Sequence, residues 1–219
     1  DCDADVVLLK VTQLGHDPGV ACHSSFHSFD VDYKLRVDAA VRATLLPRLA
    51  PVLDRQRALP CNFIVKWQGS NSGFGLHQDL TLIDERYGVS AEVWVALDDT
   101  DELNGQLWMV PGSHRWIPTL RGINAFPFPF RQVAERIARH HAVPVPVRAG
   151  DAVIFNHAVL HLSLTNRSDS PRLVAITDVI PEEMAHVHYF GDGDGSIAAY
   201  AIGDEFWVHN NPFTLWRPP

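Results

Sequence analysis

The sequence predicts a mainly β protein, a sandwich or a barrel, and a jelly roll is the natural candidate. Short runs rich in Val, Ile, Leu, Trp or Thr recur along the chain, and clusters of Gly, Pro, Asn and Asp separate them. The chain has 219 residues, of which 46% are hydrophobic and 20% charged, so it can bury a sizeable core. Because the sequence has no internal repeat or flexible linker, we expect residues 1–219 to form a single domain.

Two helices are expected in addition to the strands. Val31–Leu46 carries apolar residues at roughly helical spacing with charges between them, and Pro47 is expected to close this amphipathic helix. A second helix is expected at Arg131–His141, after the Pro-rich stretch Phe126–Phe130. Ahead of both, the β-branched and apolar run Val6–Thr12 predicts a strand.

The other predicted strands share a short apolar, β-branched or aromatic composition. They are Asn62–Gln68, Leu76–Ile83, Glu92–Asp98, Gln106–Val110, Ala152–Phe155, Val159–Thr165, Leu173–Ile180, Val187–Phe190, Ile197–Ile202 and Phe206–Val208. Turn chemistry separates many of them, at Gly69–Gly75, Asp99–Gly105, Pro111–Ser113, Ala149–Asp151 and Asn166–Pro171. Many short strands with regular turns are typical of a jelly roll.

Charge and cysteine content narrow the class of function. The formal net charge is −8, and an acidic surface repels phosphate backbones, so nucleic acid is not an expected partner. The three cysteines lie far apart without a CxxC pair, which argues against a disulfide framework and a cysteine zinc site. A reducing cytoplasm therefore fits best. No apolar run reaches membrane-spanning length and no signal peptide is visible, so no membrane partner is expected.

The motif His77-Gln78-Asp79 lies in one of the predicted strands. Side chains at positions i and i+2 of a strand point to the same face, so His77 and Asp79 can reach one ion together. With a second imidazole they would form the facial triad that leaves positions open on Fe(II) for a cosubstrate and O2. The motif alone is weak, because the chain contains 12 His and 26 acidic residues.

His161 is the candidate for the third metal ligand. We expect Val159–Thr165 and Arg172–Ile180 to form an antiparallel hairpin in which His161 lies opposite Arg172. The Cβ atoms of such neighbours are about 5 Å apart. A five-carbon diacid could then bind the metal beside His161 through its keto-acid end. Its far carboxylate would meet the planar guanidinium of Arg172.

Three stretches of the chain resemble one enzyme family. They are LHQDLT at 76–81, EVWVALDDTDELNGQLWMVPGSHRW at 92–116 and GDAVIFNHAVLHLSLTNRSDSPR at 150–172. They resemble, in order, a metal-binding HxD, a Trp-bearing strand with an acidic turn and a PGSH corner, and a distal metal His followed eleven residues later by the cosubstrate Arg. The chain is thus similar to the phytanoyl-CoA dioxygenase (PhyH-like) family of Fe(II)/2-oxoglutarate-dependent oxygenases. The resemblance covers a core of about residues 62–180, flanked by segments 1–61 and 181–219.

The resemblance implies a double-stranded β-helix core, a cupin-like jelly roll, with flanking α-helices. It implies Fe(II) held by His77, Asp79 and His161, with 2-oxoglutarate and O2 as cosubstrates. Arg172 would bind 2-oxoglutarate, and the side chains expected nearby are Ser163, Gln78, Lys66 and Trp94.

The implied reaction is hydroxylation of a small-molecule substrate with release of succinate and CO2. Halogenating members of the family have a small residue where this chain has Asp79, which favours hydroxylation here. Desaturation, ring closure and epimerisation stay open. Two alternatives keep the fold: a jelly-roll binding module without catalysis, and a cupin-type metal enzyme that acts without 2-oxoglutarate. Neither the substrate nor the oligomeric state follows from the sequence.

Other motifs are expected to be structural. His157 rivals His161 as a ligand, and we expect it beside the metal ligands or on the substrate side instead. His114 is expected to be a turn residue whose side chain bonds the backbone. The pair His186 and His188 could mimic a metal site, which we do not favour. We expect Asp192–Ser196 to be a flexible Gly turn, because it lacks the remaining positions of a calcium loop.

Overall fold

The computed structural model describes residues 22–69, 71–122, 128–191 and 195–212. Antiparallel strands dominate these ranges. In chain order they are β1 (Cys22–Ser24), β2 (Gln56–Ala58), β3 (Asn62–Lys66), β4 (Phe74–His77), β5 (Ala91–Ala96), β6 (Leu107–Met109), β7 (Val143–Val145), β8 (Ala152–Asn156), β9 (His161–Ser163), β10 (Arg172–Pro181), β11 (Val187–Gly191) and β12 (Ile197–Ala201).

The strands form two sheets that face each other and one hairpin. The larger sheet has the order β1-β3-β10-β5-β8, and β2 also pairs with β10. The smaller sheet has the order β4-β9-β6-β7, and β11 pairs with β12. Apolar residues of β6 and β7 pack against the inner face of the larger sheet. The prediction of a mainly β, jelly-roll protein is confirmed.

Helix α1, at Val31–Leu49, covers the outer face of the larger sheet. The Asp30 side chain caps its start by accepting a hydrogen bond from the Tyr33 backbone N–H at 2.9 Å. The prediction that Pro47 closes the helix was wrong, because the helix continues to Leu49. Leu49 is buried in the same core cluster as the rest of the helix, which offsets the hydrogen bond that proline cannot make.

The other described helices are α2, at Ala134–His141, and α3, at Phe206–His209, with 3-10 turns at Ser25–His27 and Ser113–Arg115. The predicted strand at Phe206–Val208 was therefore wrong. None of the described helices combines the length and the apolar character that a membrane crossing requires. The predicted strand Val6–Thr12 lies outside the described residues, as does most of the predicted turn at Asp192–Ser196.

Alternation along β5 and β10 separates two cores. Val93 and Val95 point to the outer face with α1, whereas Trp94 points to the inner face. On β10, Val174 and Ile176 likewise belong to the inner cluster. The same period places the side chains of Arg172, Asp178 and Ile180 on the inner face, toward the smaller sheet.

The predicted hairpin between β9 and β10 was wrong. Strand β9 pairs with β4 and β6 in the smaller sheet, and β10 pairs with β3 and β5 in the larger one. The chain between them crosses from one sheet to the other and is organised by Asn166, which is fully buried. Its side-chain amide donates to the carbonyls of Lys66 at 2.9 Å and Ser170 at 2.8 Å. His161 and Arg172 therefore belong to two different sheets, which face each other.

Candidate active site

Two histidines stand side by side in the smaller sheet. His77 is the last residue of β4, His161 is the first residue of β9, and the two are cross-strand partners. Their ring centroids are 4.2 Å apart. The predicted strand Leu76–Ile83 was too long, since β4 ends at His77, and Asp79 lies in the segment that follows.

Asp79 completes the cluster. One of its carboxylate oxygens, Oδ1, lies 3.7 Å from His161 Nε2 and 3.9 Å from His77 Nε2. One ligand atom from each of the three residues lies within 4.8 Å of the other two. Within the described ranges, this is the one group of three or more His, Cys, Asp or Glu residues with such spacing. The structure thus brings together the three residues that the sequence singled out.

Backbone carbonyls hold both imidazoles by their Nδ1 atoms. His77 Nδ1 lies 2.7 Å from the carbonyl oxygen of Gly75, and His161 Nδ1 lies 3.0 Å from that of Val159. A carbonyl requires a donating Nδ1–H, so each Nε2 is left as the lone-pair atom that can bind a metal. Burial, with a smaller contribution from His161, lowers the pKa of His77 to about 4, which keeps this ring neutral.

The Asp79 carboxylate supplies an oxygen without a protein partner. Its Oδ2 atom is buried and finds no hydrogen-bond donor among the described residues. Such an atom is costly unless a cation or donor satisfies it. Two imidazole nitrogens and one carboxylate oxygen match the donor set that suits Fe(II) in facial-triad enzymes. The residues present therefore fit a mononuclear iron centre.

Arg121 supports the segment that carries Asp79, a role that no sequence pattern indicated. Its side chain is 8% exposed, and its Nε donates to the Asp79 carbonyl at 2.9 Å. The same guanidinium forms a bidentate ion pair with Glu85. The Asp79 backbone N–H donates to the carbonyl of His157 at 3.0 Å. These contacts fix the position from which the Asp79 carboxylate reaches the two imidazoles.

Next to this centre, Lys66 and Arg172 form a buried cationic pair. They are Cα partners on β3 and β10, and they are 0% and 2% exposed. Lys66 Nζ donates to Ser163 Oγ and to the Leu164 carbonyl, both at 2.6 Å. Arg172 donates to the Gly105 carbonyl at 3.2 Å, while its Nε finds no acceptor among the described residues. No carboxylate forms an ion pair with either side chain within the described ranges.

Burial changes the charge balance of this pair. It lowers the pKa of Lys66 to about 7, and the charge of Arg172 adds to that effect. It also lowers the pKa of Arg172, which still remains a cation at neutral pH. A buried cation with an unsatisfied donor has a strong electrostatic demand for an anion. A carboxylate placed here would accept hydrogen bonds from the planar guanidinium of Arg172 and the ammonium of Lys66.

Gly105 allows the close approach on which the cationic pair depends. Its φ is +83°, and a Cβ atom there would lie 2.4 Å from the Leu164 carbonyl and 3.0 Å from Lys66 Cδ. Any other residue would push apart the backbone that receives Arg172 and the side chain of Lys66.

Of the other three side chains predicted near the cosubstrate, two lie beside the cationic pair and one does not. Ser163 accepts from Lys66 and is 9% exposed, and the Trp94 ring lies 5.3 Å from the Arg172 guanidinium carbon. Gln78 is occupied elsewhere: its amide nitrogen donates to the Ala158 carbonyl at 2.6 Å, and its oxygen accepts from a threonine hydroxyl. Ser163 and Trp94 thus adjoin the cationic pair, whereas Gln78 fixes the segment between His77 and Asp79.

His157 lies outside the triad. It is 1% exposed, and its ring nitrogens contact Ser90 Oγ at 2.8 Å and Asp178 Oδ1 at 2.9 Å. Burial acts to lower its pKa, but the hydrogen bond to Asp178 and the charge of that carboxylate outweigh burial and raise it. His114 lies in the 3-10 turn Ser113–Arg115, as predicted, but the expected bond from its ring to the backbone was wrong: Nε2 accepts from Arg115 Nε at 3.3 Å, and Nδ1 has no partner among the described residues.

A cavity of about 340 Å³ is lined in part by His77 and Asp79. Its apolar walls include Leu80 and Ile176, and its polar lining includes Glu92 and Asp178. The sequence did not single out either acidic residue, because each stands alone in an otherwise apolar strand. The sequence indicated only that Asp178 lies an even number of residues after Arg172, and therefore on the same face of the strand.

The fold and the three-residue cluster define a class: jelly-roll proteins with a two-histidine, one-carboxylate centre. Residues 10–174 match the model of the family described as phytanoyl-CoA dioxygenase (PhyH). The chain belongs to this family.

Curated relatives agree with this assignment. The chain is 34% identical over 131 residues to phytanoyl-CoA dioxygenase domain-containing protein 1 of Danio rerio, covering 55% of the chain and 44% of that protein. It is 25% identical over 186 residues to phytanoyl-CoA dioxygenase 1 of Oryza sativa subsp. japonica, covering 80% of the chain and 59% of the relative. The chain thus spans about half the length of these relatives. A separate match of 28 residues, 79% identical to phosphoribosyl-AMP cyclohydrolase of Polaromonas naphthalenivorans, covers only 13% of the chain and defines no domain.

Solved structures share the fold. The epimerase SnoN, solved with Fe3+, alpha ketoglutarate and nogalamycin RO, superposes with a TM-score of 0.64 at 21% identity, covering 84% of this chain and 76% of SnoN. HygX from Streptomyces hygroscopicus, solved with nickel and 2-oxoglutarate, gives a TM-score of 0.58 at 19% identity, covering 83% and 79%. At these identities the similarity establishes the fold alone.

Proposed function

We propose that this protein is an Fe(II)- and 2-oxoglutarate-dependent dioxygenase that hydroxylates a small molecule and releases succinate and CO2. The observation that carries the proposal is the adjacency of two sites. The His77, Asp79 and His161 cluster has the donor atoms for iron, and the Lys66–Arg172 pair beside it demands an anion. A keto acid with a second carboxylate is the ligand that satisfies both.

The polypeptide would hold the metal through side chains that its own hydrogen bonds already orient. The carbonyls of Gly75 and Val159 fix the imidazole tautomers, and Arg121 anchors the segment of Asp79. With His77, Asp79 and His161 as its protein ligands, an iron ion would keep positions open for the keto acid and O2 and would supply the oxygen-activating chemistry. The protein's part is to orient these groups and to exclude water from them.

The cationic pair distinguishes this proposal from the alternatives. A binding module has no need for two buried cations next to a metal cluster, and a metal enzyme without 2-oxoglutarate has no need for Arg172. Other members of the fold class, such as the carbocyclase SnoK, are named for different outcomes of related chemistry. The carboxylate ligand Asp79 supports hydroxylation rather than halogenation for this chain.

Anaerobic reconstitution tests the proposal. Fe(II) and 2-oxoglutarate together should produce a weak visible charge-transfer band, and neither should do so alone. On admission of O2, the wild-type protein should convert 2-oxoglutarate to succinate slowly without substrate. Asp79→Ala should lose both signals. If wild type shows Fe(II) binding without the band and without succinate, the chain is a metal protein of another kind.

A further inference from the structure

The inner face of β10 carries opposite charges at its two ends. Arg172 begins the strand, and Asp178 follows six residues later on the same face. At about 3.3 Å per residue, the two side chains are roughly 20 Å apart along the strand. Lys66 adds a second basic side chain at the Arg172 end, because the two residues are cross-strand partners. Glu92 on β5 likewise adds a second acidic side chain at the Asp178 end, because it lies directly opposite Asp178.

The Glu92 and Asp178 carboxyl groups are an unfavourable pair by themselves. Directly opposed like charges destabilise a sheet, and their Cβ atoms are about 5 Å apart. No hydrogen bond to the Glu92 carboxyl occurs among the described residues. Burial, followed by the charges of Asp79 and Asp178, holds the pKa of Glu92 well above its usual range. Without a cation nearby, this raised pKa favours the protonated form of Glu92, whereas a cation between the two carboxyl groups would stabilise both of them as carboxylates.

His186 provides a second, independent observation at the same cavity. It is 2% exposed and lines the cavity together with Glu92 and Asp178. Neither of its ring nitrogens has a hydrogen-bond partner among the described residues, and its Nδ1 lies 3.7 Å from Asp204 Oδ1. Burial lowers the pKa of His186 to about 4, so the ring is neutral and one nitrogen is a free acceptor. A buried acceptor without a donor indicates a donor group in the ligand.

We propose that the substrate carries a basic amine, and that its ammonium group binds between Glu92 and Asp178, with His186 as a further acceptor. An ammonium has three N–H donors, which matches two carboxyl groups and one imidazole nitrogen. This inference rests on the proposed function, because it assigns the cavity beside the iron ligands to the substrate.

The remaining walls of the cavity fit an apolar body. Leu59, Ile64, Leu80 and Ile176 lie along it. A volume of about 340 Å³ is at the small end for ligand pockets, so it suits a small metabolite. With the ammonium at Glu92, the body of the molecule would extend over these walls toward His77 and Asp79.

Anionic substrates fit this cavity poorly. Asp79, Glu92, Asp178 and Asp204 all line it. Two basic side chains in its lining are already engaged: Lys34 donates to the backbone carbonyls of Trp207 at 2.7 Å and Asn210 at 3.2 Å, and His157 contacts Asp178 Oδ1 at 2.9 Å. A carboxylate or phosphate entering the cavity would therefore meet like charges.

Three probes of one shape test the proposal: cyclohexylmethylammonium, cyclohexylmethanol and cyclohexanecarboxylate. Each is titrated calorimetrically into anaerobic protein loaded with Fe(II) and 2-oxoglutarate. The ammonium should bind at least about tenfold more tightly than the alcohol, and the carboxylate should bind most weakly. Glu92→Gln and Asp178→Asn should each reduce the preference for the ammonium over the alcohol. Glu135→Gln, an exposed acid on α2, is the matched control and should leave that preference unchanged.

The outcomes separate this inference from the proposed function. If all three probes bind equally, if the carboxylate binds best, or if both variants keep the ammonium preference, the inference is wrong. The charge-transfer band is recorded in the same samples and reports on the iron and 2-oxoglutarate site alone. If that band never forms, the titrations are repeated on metal-free protein, where an ammonium preference that depends on Glu92 would still support the amine site.

Discussion

Arg172 lies directly opposite Lys66 on antiparallel strands, so two buried basic side chains are neighbours without a carboxylate partner among the described residues. This pairing places the proposed anchor for the cosubstrate on the larger sheet, whereas His77 and His161 belong to the smaller sheet. The anchor is rigid because β10 is paired on both sides, by β3 and β5. Rigid elements hold such groups more precisely than loops do.

The first prediction concerns Arg172. Arg172→Gln should weaken 2-oxoglutarate binding by at least about tenfold, because losing one partner of a buried, hydrogen-bonded charge pair costs about 2–5 kcal/mol. Fe(II) binding should change little, since no triad atom contacts Arg172. Arg172→Lys should lose less, because it keeps the charge but not the planar fork. Titration of 2-oxoglutarate into iron-loaded protein, followed by the charge-transfer band, measures these affinities.

Arg167 is the matched control for this prediction. It lies on the same connection between β9 and β10, but its side chain is exposed. Arg167→Gln should leave 2-oxoglutarate affinity within about twofold of wild type, as expected for an isolated surface charge. Equal affinities for wild type and Arg172→Gln, or a larger loss at Arg167, would contradict the role given to Arg172.

The sequence predicted the metal cluster but not the way it is assembled. The HxD spacing pointed to His77 and Asp79, the expected hairpin and the resemblance to a family pointed to His161, and the structure brings the three residues together. The local turn rules failed for β9 and β10, because a jelly roll pairs strands that are distant in sequence. His161 pairs with His77, and Arg172 pairs with Lys66. These partners depend on the order of strands in two sheets, which no local pattern encodes.

The acidic end of the cavity was missed for a related reason. Glu92 and Asp178 each interrupt an apolar strand, and either one alone is compatible with the solvated end of a sheet. Only the register of β5 against β10 places them opposite each other. Periodicity gives the face of a strand, whereas the neighbour across the sheet requires the fold.

The second prediction separates the two buried histidines next to the centre. His161→Ala should abolish the charge-transfer band of the anaerobic Fe(II) and 2-oxoglutarate complex, because it removes one of three protein ligands. His157→Ala should retain the band, since its ring contacts Ser90 and Asp178 and not the triad. Both variants delete a buried imidazole, so each controls for loss of packing in the other. A band that survives in His161→Ala and disappears in His157→Ala would reverse the choice of ligand.

The third prediction concerns Arg121, a positioning residue. Arg121→Gln should lower Fe(II) affinity by roughly fivefold or more, because the Asp79 carbonyl loses its donor and the bidentate pair with Glu85 is broken. Loss of a largely buried ion-pair partner should also destabilise the fold by about 2–4 kcal/mol. Calorimetric titration of Fe(II) and urea unfolding measure the two effects.

A matched arginine tests whether this effect is specific to position 121. Arg86 pairs with Asp84 in an exposed ion pair close to Glu85 in the sequence. Arg86→Gln should alter neither Fe(II) affinity nor stability measurably. Glu85→Gln should destabilise the protein but lower Fe(II) affinity less than Arg121→Gln, because Arg121 can still donate to Asp79. If Arg86→Gln and Arg121→Gln behave alike, Arg121 has no special part in holding the metal segment.

The last prediction is a pH dependence that originates at Lys66. Burial lowers its pKa from the ordinary value of 10.5 to about 7 in the folded protein, and the charge of Arg172 adds to the effect. Between these values the unfolded chain binds more protons than the folded one, so Lys66 makes stability rise with pH, by up to about 1.4 kcal/mol per pH unit. Below about pH 7 both states carry the proton and this contribution no longer changes.

Lys66→Met should therefore flatten the rise in the free energy of unfolding between about pH 7.5 and 9.5, measured by urea unfolding of metal-free protein. Other titrating groups are common to both proteins, so the difference between the two curves isolates Lys66. Bound 2-oxoglutarate should have the opposite effect in wild type, because its carboxylate favours the charged ammonium, and its affinity should fall as pH rises above 7. Parallel stability curves for wild type and Lys66→Met would show that Lys66 keeps an ordinary pKa in the fold.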